Sequence, residues 1–185
     1  MQPLTLITVA QEAGDETDPV QIVDEAKTFF PTEAWYEIRY LGELSLKHDL
    51  KIMEGGRACE AFLFRKLIQR FLKVKDSCGL VGLLLGITPK PVVDLHYSLE
   101  GGSIRKTVFF VRDYVSKKIG VVSLYKLAEE SASKVVAHGL GHNQGLRHHL
   151  EPTDLMHSEL LRLAHLDVDG FCTACLRSLT KSASS

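Results

Sequence analysis

Apolar residues recur along the chain at two spacings, one of about two residues that is typical of strands and one of about 3.6 that is typical of helices. Residues 78–88 are apolar on both faces, which indicates a buried strand. Strand patterns occur at 4–10, 34–42, 78–88, 107–115 and 119–127, and helix patterns occur at 20–30 and 57–73. This alternation predicts an α/β fold built on a mixed, mostly parallel twisted sheet.

The last third of the chain has a different pattern. From residue 128 the spacing is helical, and Ser131 or Ser133 could cap the predicted helix. Beyond Gly145 the pattern becomes irregular, with short helices predicted at 157–166 and 172–179. We therefore predict a single domain over residues 1–180, with an upper sheet-and-helix part (1–145), a small C-terminal subdomain (146–180) and a frayed tail (181–185).

Composition and charge limit the choice of partners. The chain has 185 residues and a formal net charge of −1, so no basic excess favours nucleic acid or an anionic membrane surface. The longest apolar run, residues 79–87, is too short to cross a bilayer. The first ten residues lack the basic segment of a signal peptide and are interpreted as a strand. We expect a soluble, cytoplasmic monomer.

Three histidines in the predicted helix and the turn after it form the strongest chemical signal. His138 and His142 are four residues apart, so a helix places both imidazoles on one face. Gly145 can adopt the left-handed conformation that ends a helix, and His148 follows as a third candidate ligand. A histidine pair at this spacing is often a surface accident, but the glycine and the third histidine make the pattern specific. Three histidines with an open fourth position are typical of a catalytic zinc.

The segment resembles the signature of the metzincin zinc peptidases, H-E-x-x-H-x-x-G-x-x-H followed by a Met-turn. Within the metzincins it is most similar to the archaemetzincins, whose pattern continues with a cysteine after the third histidine, a second cysteine before the Met-turn methionine, and a closing C-x-x-C pair. Met156 stands at the methionine position, and Cys172 and Cys175 stand at the closing pair. The specific match covers residues 121–179, and the N-terminal half agrees only in its α/β pattern.

The resemblance implies a metzincin-like (zincin) domain that hydrolyses peptides or proteins. It implies one catalytic-type zinc ion held by His138, His142 and His148, with the thioether of Met156 as an apolar floor beneath the metal. It also implies that the zinc-binding helix lies beneath a substrate cleft.

The chain departs from the archaemetzincin pattern at the residue that would act as general base. Gly139 stands where the family has its catalytic glutamate, and glycine can neither accept nor donate the proton. A general base contributes about 10²–10⁴-fold to the rate, so we predict that proteolysis is impaired or absent. Glycine also costs about 1 kcal/mol of helix stability relative to alanine, and the sequence supplies no packing reason for it. A substitute base is the alternative, with Glu151, Asp154 and His149 as candidates.

A second set of zinc-competent residues surrounds the C-x-x-C pair. His149 and Asp154 replace the other two family cysteines, so the resemblance implies a second, structural zinc on His149, Asp154, Cys172 and Cys175. An empty cluster of packed or oxidised cysteines is the alternative. A thioredoxin-like redox role is disfavoured because this C-x-x-C pair lies near the C-terminus rather than after a first strand.

Three functions are consistent with these residues. The first is a zinc peptidase homologue with lost or weak activity, and the second is a module that binds peptides at its zinc without cutting them. A purely structural zinc protein is the third, and it does not explain three histidines with an open position.

Overall fold

The structure is a computed structural model, and it describes residues 2–9, 18–31, 35–162 and 166–183. The described part contains nine strands, four α-helices and two short 3₁₀ helices at Glu129–Ser131 and Leu160–Arg162. The strands are β1 (Gln2–Val9), β2 (Trp35–Leu44), β3 (Leu50–Glu54), β4 (Arg57–Leu63), β5 (Leu83–Thr88), β6 (Val92–Glu100), β7 (Ser103–Phe110), β8 (Asp113–Val115) and β9 (Ile119–Ser123). The helices are α1 (Pro19–Lys27), α2 (Phe64–Ser77), α3 (Ala132–Asn143) and α4 (Thr173–Ala183).

The larger sheet has five strands in the order β2-β1-β5-β9-β8. β1 pairs in parallel with β2 and with β5, and β5 pairs in parallel with β9. β8 pairs antiparallel with β9 and forms one edge of the sheet. The predicted mixed and mostly parallel sheet of an α/β fold is therefore confirmed.

Helices cover both faces of this sheet because its central strand is apolar on both faces. Leu83 and Leu85 of β5 join a core with α1 and α3, whereas Leu84 joins a core with α2 on the opposite face. Gly86 allows α2 to approach closely, since a Cβ atom there would lie 2.1 Å from the ring of Phe71. Each fully buried leucine contributes roughly 1.5–3 kcal/mol, so β5 anchors both layers.

A second sheet contains four strands in the order β3-β4-β6-β7. The predicted helix at 57–73 was wrong over its first part, because residues 57–63 form β4 and α2 begins only at Phe64. The backbone groups of β4 pair with β3 on one side and with β6 on the other, and this tertiary pairing overrides the local spacing. β3 and β6 were not predicted, since many of their side chains are exposed and their apolar alternation is weak.

The strand predicted at 107–115 is two strands in two different sheets. β7 ends at Phe110 in the four-stranded sheet, and β8 begins at Asp113 in the five-stranded sheet. The chain changes sheets at Val111 and Arg112, and the strand-like apolar residues on both sides of Arg112 and Asp113 conceal that change in the sequence. The break turns Asp113 and Val115 towards α3.

The region after α3 is mostly irregular, as the sequence predicts. Within the described part of the helix predicted at 157–166, the structure has the 3₁₀ turn Leu160–Arg162, and residues 163–165, including His165, lie outside the described residues. The helix predicted at 172–179 corresponds to α4, which continues to Ala183 into the segment predicted to be frayed. The division into an upper part and a C-terminal subdomain stays a prediction. Among the described residues, no helix is long and apolar enough to span a membrane.

Candidate metal centre

Helix α3 and the turn after it bring three imidazoles to one point. The Nε2 atoms of His138 and His142 are 3.1 Å apart, and the Nε2 atom of His148 lies 3.1 Å from His142 and 3.2 Å from His138. Tetrahedral zinc with Zn–N bonds of 2.0–2.1 Å separates its nitrogen ligands by about 3.3 Å. The three nitrogens therefore fit one zinc ion and leave its fourth position open.

Main-chain carbonyls hold the rings in this orientation. Nδ1 of His138 donates to the carbonyl oxygen of Leu155 at 2.6 Å, and Nδ1 of His142 donates to that of Leu146 at 3.0 Å. A proton on Nδ1 leaves the Nε2 lone pair free and aimed at the metal position. The turn that allows this is closed by Gly145, which has a φ of +92°, a conformation that favours glycine.

Burial keeps these imidazoles neutral. It lowers the pKa of His138 to about 4, against a smaller opposing effect of its hydrogen bond to Leu155. Burial also lowers the pKa values of His142 and His148, and their proximity to other histidines adds to the effect. Neutral imidazole is the form that binds metal, so the three histidines are ready to do so at neutral pH.

Gly139 lies where α3 passes closest to strand β8. A Cβ atom on Gly139 would lie 2.6 Å from Cγ2 of Val115 and 3.1 Å from Oδ2 of Asp113. The first distance is shorter than any side chain tolerates without movement of the strand. The expectation that no packing reason exists for this glycine was therefore wrong: the helix and the strand meet at this residue.

Asp113 is the residue at this centre that the sequence analysis missed. Its side chain is 6% exposed, and Oδ2 lies 3.8 Å from Nε2 of His138. That oxygen is buried and has no hydrogen-bond partner among the described residues. Burial raises the pKa of the Asp113 carboxyl to about 6, although the nearby His142 and His148 act in the opposite direction. The one sequence signal for it was a charged residue within an otherwise strand-like apolar run.

A second cluster lies between the loop after α3 and the start of α4. Nε2 of His149 lies 3.2 Å from Oδ1 of Asp154, 3.3 Å from Sγ of Cys175 and 3.8 Å from Sγ of Cys172. The ligand atoms of all four residues lie within 4.8 Å of one another. The structure thus brings together the four residues that the sequence analysis grouped as a second zinc site.

The carboxylate of Asp154 organises the second cluster. It is fully buried and accepts hydrogen bonds from the backbone N–H groups of Met156 and Cys172. Burial raises the pKa of the neighbouring Cys175 thiol to about 12, and the charge of Asp154 adds to this shift. A protonated thiol beside a buried carboxylate has no low-pKa redox character, whereas a cation would stabilise both groups as anions.

Met156 packs under the histidine helix. It is fully buried, and its Sδ atom lies 2.9 Å from the position that a Cβ atom on Gly141 would take. A larger residue at 141 would displace the thioether. The apolar floor expected from Met156 is therefore compatible with this packing.

The three candidate substitute bases do not lie at the histidine centre. His149 and Asp154 belong to the second cluster. Glu151 is exposed, and its carboxylate accepts a hydrogen bond from the hydroxyl of Thr153 at 3.4 Å. A carboxylate that does lie beside this centre is that of Asp113 from strand β8, which packs directly against α3 and brings Oδ2 to 3.8 Å from Nε2 of His138.

A mixed sheet with an antiparallel edge strand, a helix with two histidines on one face and a third histidine after a glycine turn are the features of a metzincin-like α/β domain. No protein-family model and no curated protein sequence matches the chain. Solved structures do match. An archaemetzincin from Methanopyrus kandleri superposes with a TM-score of 0.63 and 17% identity, over 99% of this chain and 96% of that one.

Two further structures give the same result. A zinc-dependent peptidase from Methanocorpusculum labreanum has a TM-score of 0.58 at 15% identity, and an archaemetzincin from Archaeoglobus fulgidus complexed with malonate has 0.53 at 16%. Each match covers 95% of this chain and 99% of the other. The chain therefore has the archaemetzincin fold.

Proposed function

We propose that this chain is an archaemetzincin-like zinc hydrolase that acts on peptides or proteins. The observation that carries the proposal is the convergence of three neutral imidazoles, two of which, those of His138 and His142, have their Nδ1 atoms fixed by main-chain carbonyls. Structural zinc sites are closed by four protein ligands, whereas three ligands leave room for water or substrate. The similarity in fold to archaemetzincins and to a zinc-dependent peptidase supports the same class of reaction.

His138, His142 and His148 would hold the zinc ion. When bound, zinc supplies a Lewis acid that polarises a carbonyl group and lowers the pKa of water. The protein's own part is to keep the imidazoles neutral and oriented and to leave the fourth position accessible. His148 is the exposed member of the three, so access to the centre is from its side.

Strand β8 supports a peptide as the substrate class. It is the edge strand of the five-stranded sheet and packs against α3 beside the histidines. An edge strand presents unpaired N–H and C=O groups, and an extended peptide can pair with them as an added strand. Such pairing would place a peptide carbonyl near the histidine centre.

The second cluster fits a structural zinc ion. His149, Asp154, Cys172 and Cys175 supply one nitrogen, one oxygen and two sulfur ligands, which zinc accepts in a closed tetrahedral site. This ion would connect α4 to the loop that carries His148. Met156, between the two centres in sequence, would serve as the Met-turn floor of the first.

A metal-dependent binding module without hydrolysis is the second candidate. Gly139 favours it, because the resemblance places a catalytic glutamate at this position. In that case the histidine centre and β8 would hold a peptide without cutting it. The impaired or absent proteolysis that Gly139 predicts for the peptidase homologue would in this case be a complete loss.

Incubation of the zinc-loaded protein with a mixture of short peptides distinguishes the hydrolase from the binding module. We expect cleavage that a chelator abolishes and that added zinc restores, with His142→Ala as the matched inactive control. Zinc-dependent peptide binding without any cleavage would establish the binding module and reject the hydrolase. Absence of zinc from the protein would reject both.

The cellular setting is also a proposal. The described cysteines are free, and thiolate ligands at the second cluster require a reducing compartment. These features support a cytoplasmic location. A monomer without nucleic-acid or membrane partners agrees with the net charge of −1.

A further inference from the structure

One oxygen of the buried Asp113 carboxylate, Oδ2, has no hydrogen-bond partner within the part of the chain that the structure describes. The side chain is nevertheless almost completely removed from solvent. An unpaired buried carboxylate oxygen destabilises a fold unless another group contacts it. The nearest such opportunity is the point where the three imidazole nitrogens converge, since Oδ2 lies 3.8 Å from Nε2 of His138.

The strand geometry directs this carboxylate at the histidine centre. Asp113 pairs with Val122 and Val115 pairs with Gly120, so residues 113 and 115 lie on the same face of β8. Both contact the position of a Cβ atom on Gly139. The space that a side chain at 139 would fill is therefore occupied by residues of β8, and one of them is a carboxylate.

The distances place Asp113 beside a metal position rather than on it. Nitrogen ligands of one tetrahedral zinc are about 3.3 Å apart, and the three histidines meet that spacing with 3.1–3.2 Å. Asp113 lies farther out, with its Oδ2 atom 3.8 Å from Nε2 of His138. A carboxylate at this distance can reach a water molecule at the open fourth position.

We propose that Asp113 is the proton acceptor of the histidine centre and replaces, from strand β8, the glutamate that Gly139 removes from helix α3. This inference rests on the proposed hydrolase function. In the reaction, the attacking water loses one proton to the Asp113 carboxylate, and its oxygen bonds to the substrate carbonyl carbon. The C–N bond then breaks, and the same proton passes from Asp113 to the departing amine nitrogen, so the carboxylate is regenerated.

A carboxylate on β8 that acts at this centre also explains why residue 139 is glycine. A Cβ atom at 139 would make a tight contact of 3.1 Å with Oδ2 of Asp113 and would lie only 2.6 Å from Cγ2 of Val115 on the same face of β8. Glycine at 139 then makes room for the strand that carries the relocated carboxylate and is not merely a residue left after loss of function.

The first test compares Asp113→Asn with the unaltered protein, both loaded with zinc. Asparagine keeps the shape of the side chain but cannot accept the proton at neutral pH. We expect unchanged zinc content, little change in KM and a fall in kcat of about 10²–10⁴-fold. Glu151→Gln is the matched control and should cleave normally, since Glu151 is exposed and bonded to Thr153. Normal kcat in Asp113→Asn would overturn the proposal, and so would loss of zinc equal to that of His138→Ala, which would make Asp113 a ligand.

A second readout does not depend on peptide cleavage. Acetohydroxamic acid binds zinc as its anion, and the proton it loses is either kept by a nearby carboxylate or released to the buffer. Calorimetry in buffers of different ionisation enthalpy counts the released protons. We expect no release by the unaltered protein and release of a proton by Asp113→Asn.

Peptide cleavage and proton release together distinguish the proposed role of Asp113 from the proposed hydrolase function. Equal proton release by both proteins would overturn the role of Asp113 whatever the activity. An unaltered protein that retains the proton of the hydroxamic acid but cleaves no peptide would reject the hydrolase function, while Asp113 would remain the proton acceptor of the centre.

Discussion

At the scale of single residues, the three histidines form one site because their Nε2 atoms lie within 3.2 Å of one another. His138 is fully buried, whereas His148 is exposed, yet their Nε2 atoms are only 3.2 Å apart. Removal of any one leaves two ligands, which are too few for a stable zinc site in a protein.

We therefore predict that His138→Ala, His142→Ala and His148→Ala each abolish zinc binding at the first centre. The measurement is elemental analysis in a Cys172→Ser/Cys175→Ser background, so that the second cluster does not contribute to the count. His96→Ala is the control, since His96 lies in β6 beside Asp94. Unchanged zinc in all three variants would disprove the ligand assignment.

Gly139 presents a competition between two residue-scale effects. Alanine at a helix position gains about 1 kcal/mol over glycine, but overpacking a filled core costs about 1–3 kcal/mol. Because a Cβ atom would lie 2.6 Å from Val115, we expect the packing cost to be the larger. Gly139→Ala should lower the stability to denaturant, and adding Val115→Ala should reverse much of the loss.

The same contact affects any attempt to restore a helix glutamate. Gly139→Glu alone should be destabilised and should not raise peptide cleavage, because its side chain collides with β8. Gly139→Glu combined with Asp113→Ala and Val115→Ala removes both colliding groups and should cleave better than Gly139→Glu. Efficient cleavage by the single variant would show that β8 moves away freely.

Asp113 should also reveal itself in the pH dependence of stability. Burial raises the pKa of Asp113 from 3.8 to about 6 in the folded protein, so Asp113 loses its proton more readily in the unfolded chain. The destabilisation that comes from burying the charged carboxylate is therefore absent below the pKa of Asp113 in the unfolded chain. It is complete above the pKa of Asp113 in the folded protein. In the metal-free protein, Asp113→Asn should be more stable at neutral pH by about 1–3 kcal/mol, and the difference should vanish in acid. Urea unfolding across this pH range measures it, and a constant difference would contradict the burial argument.

At the scale of elements, two ambiguous apolar stretches account for the errors in prediction. Residues 57–73 have helical spacing throughout, but β4 is stabilised by partners on both sides that lie far away in sequence. The stretch 107–115 has strand-like apolar residues on both sides of Arg112 and Asp113, but the chain changes sheets at that point. Periodicity reports which faces of a segment are apolar and contains no information about its hydrogen-bond partners.

Helix α4 should depend on the second metal cluster for its attachment. Cys175 lies in its first turn, and Cys172 precedes it. We predict that Cys175→Ser, or chelation of the unaltered protein, increases amide hydrogen exchange in α4, because the connection to His149 and Asp154 is lost. Chelation of Cys175→Ser should add nothing further in α4. If chelation leaves α4 of the unaltered protein protected, packing of Leu176 and Leu179 against the core holds the helix instead.

At the scale of the whole molecule, the histidine centre joins α3 to the turn after it, and the second cluster joins the following loop to α4. Zinc that binds only the folded state should stabilise it by about 1.4 kcal/mol for each tenfold increase above the dissociation constant. We expect Tm to rise steadily with free zinc and to stop depending on it when both clusters are disrupted. His142→Ala combined with Cys175→Ser is the control. An equal rise in that variant would indicate binding elsewhere.

The sequence by itself determined the α/β class, through its apolar periodicity, and the histidine triad, through short spacings within one helix and one turn; the second cluster was grouped by the resemblance to the archaemetzincin pattern. A pattern such as His138, His142 and Gly145 is constrained by local backbone geometry alone. Only the tertiary structure decided the second sheet, the break between β7 and β8, the role of Gly139 and the position of Asp113. Those features arise where distant segments meet, and the approach of β8 to α3 sets them through close packing, which residue order does not encode locally.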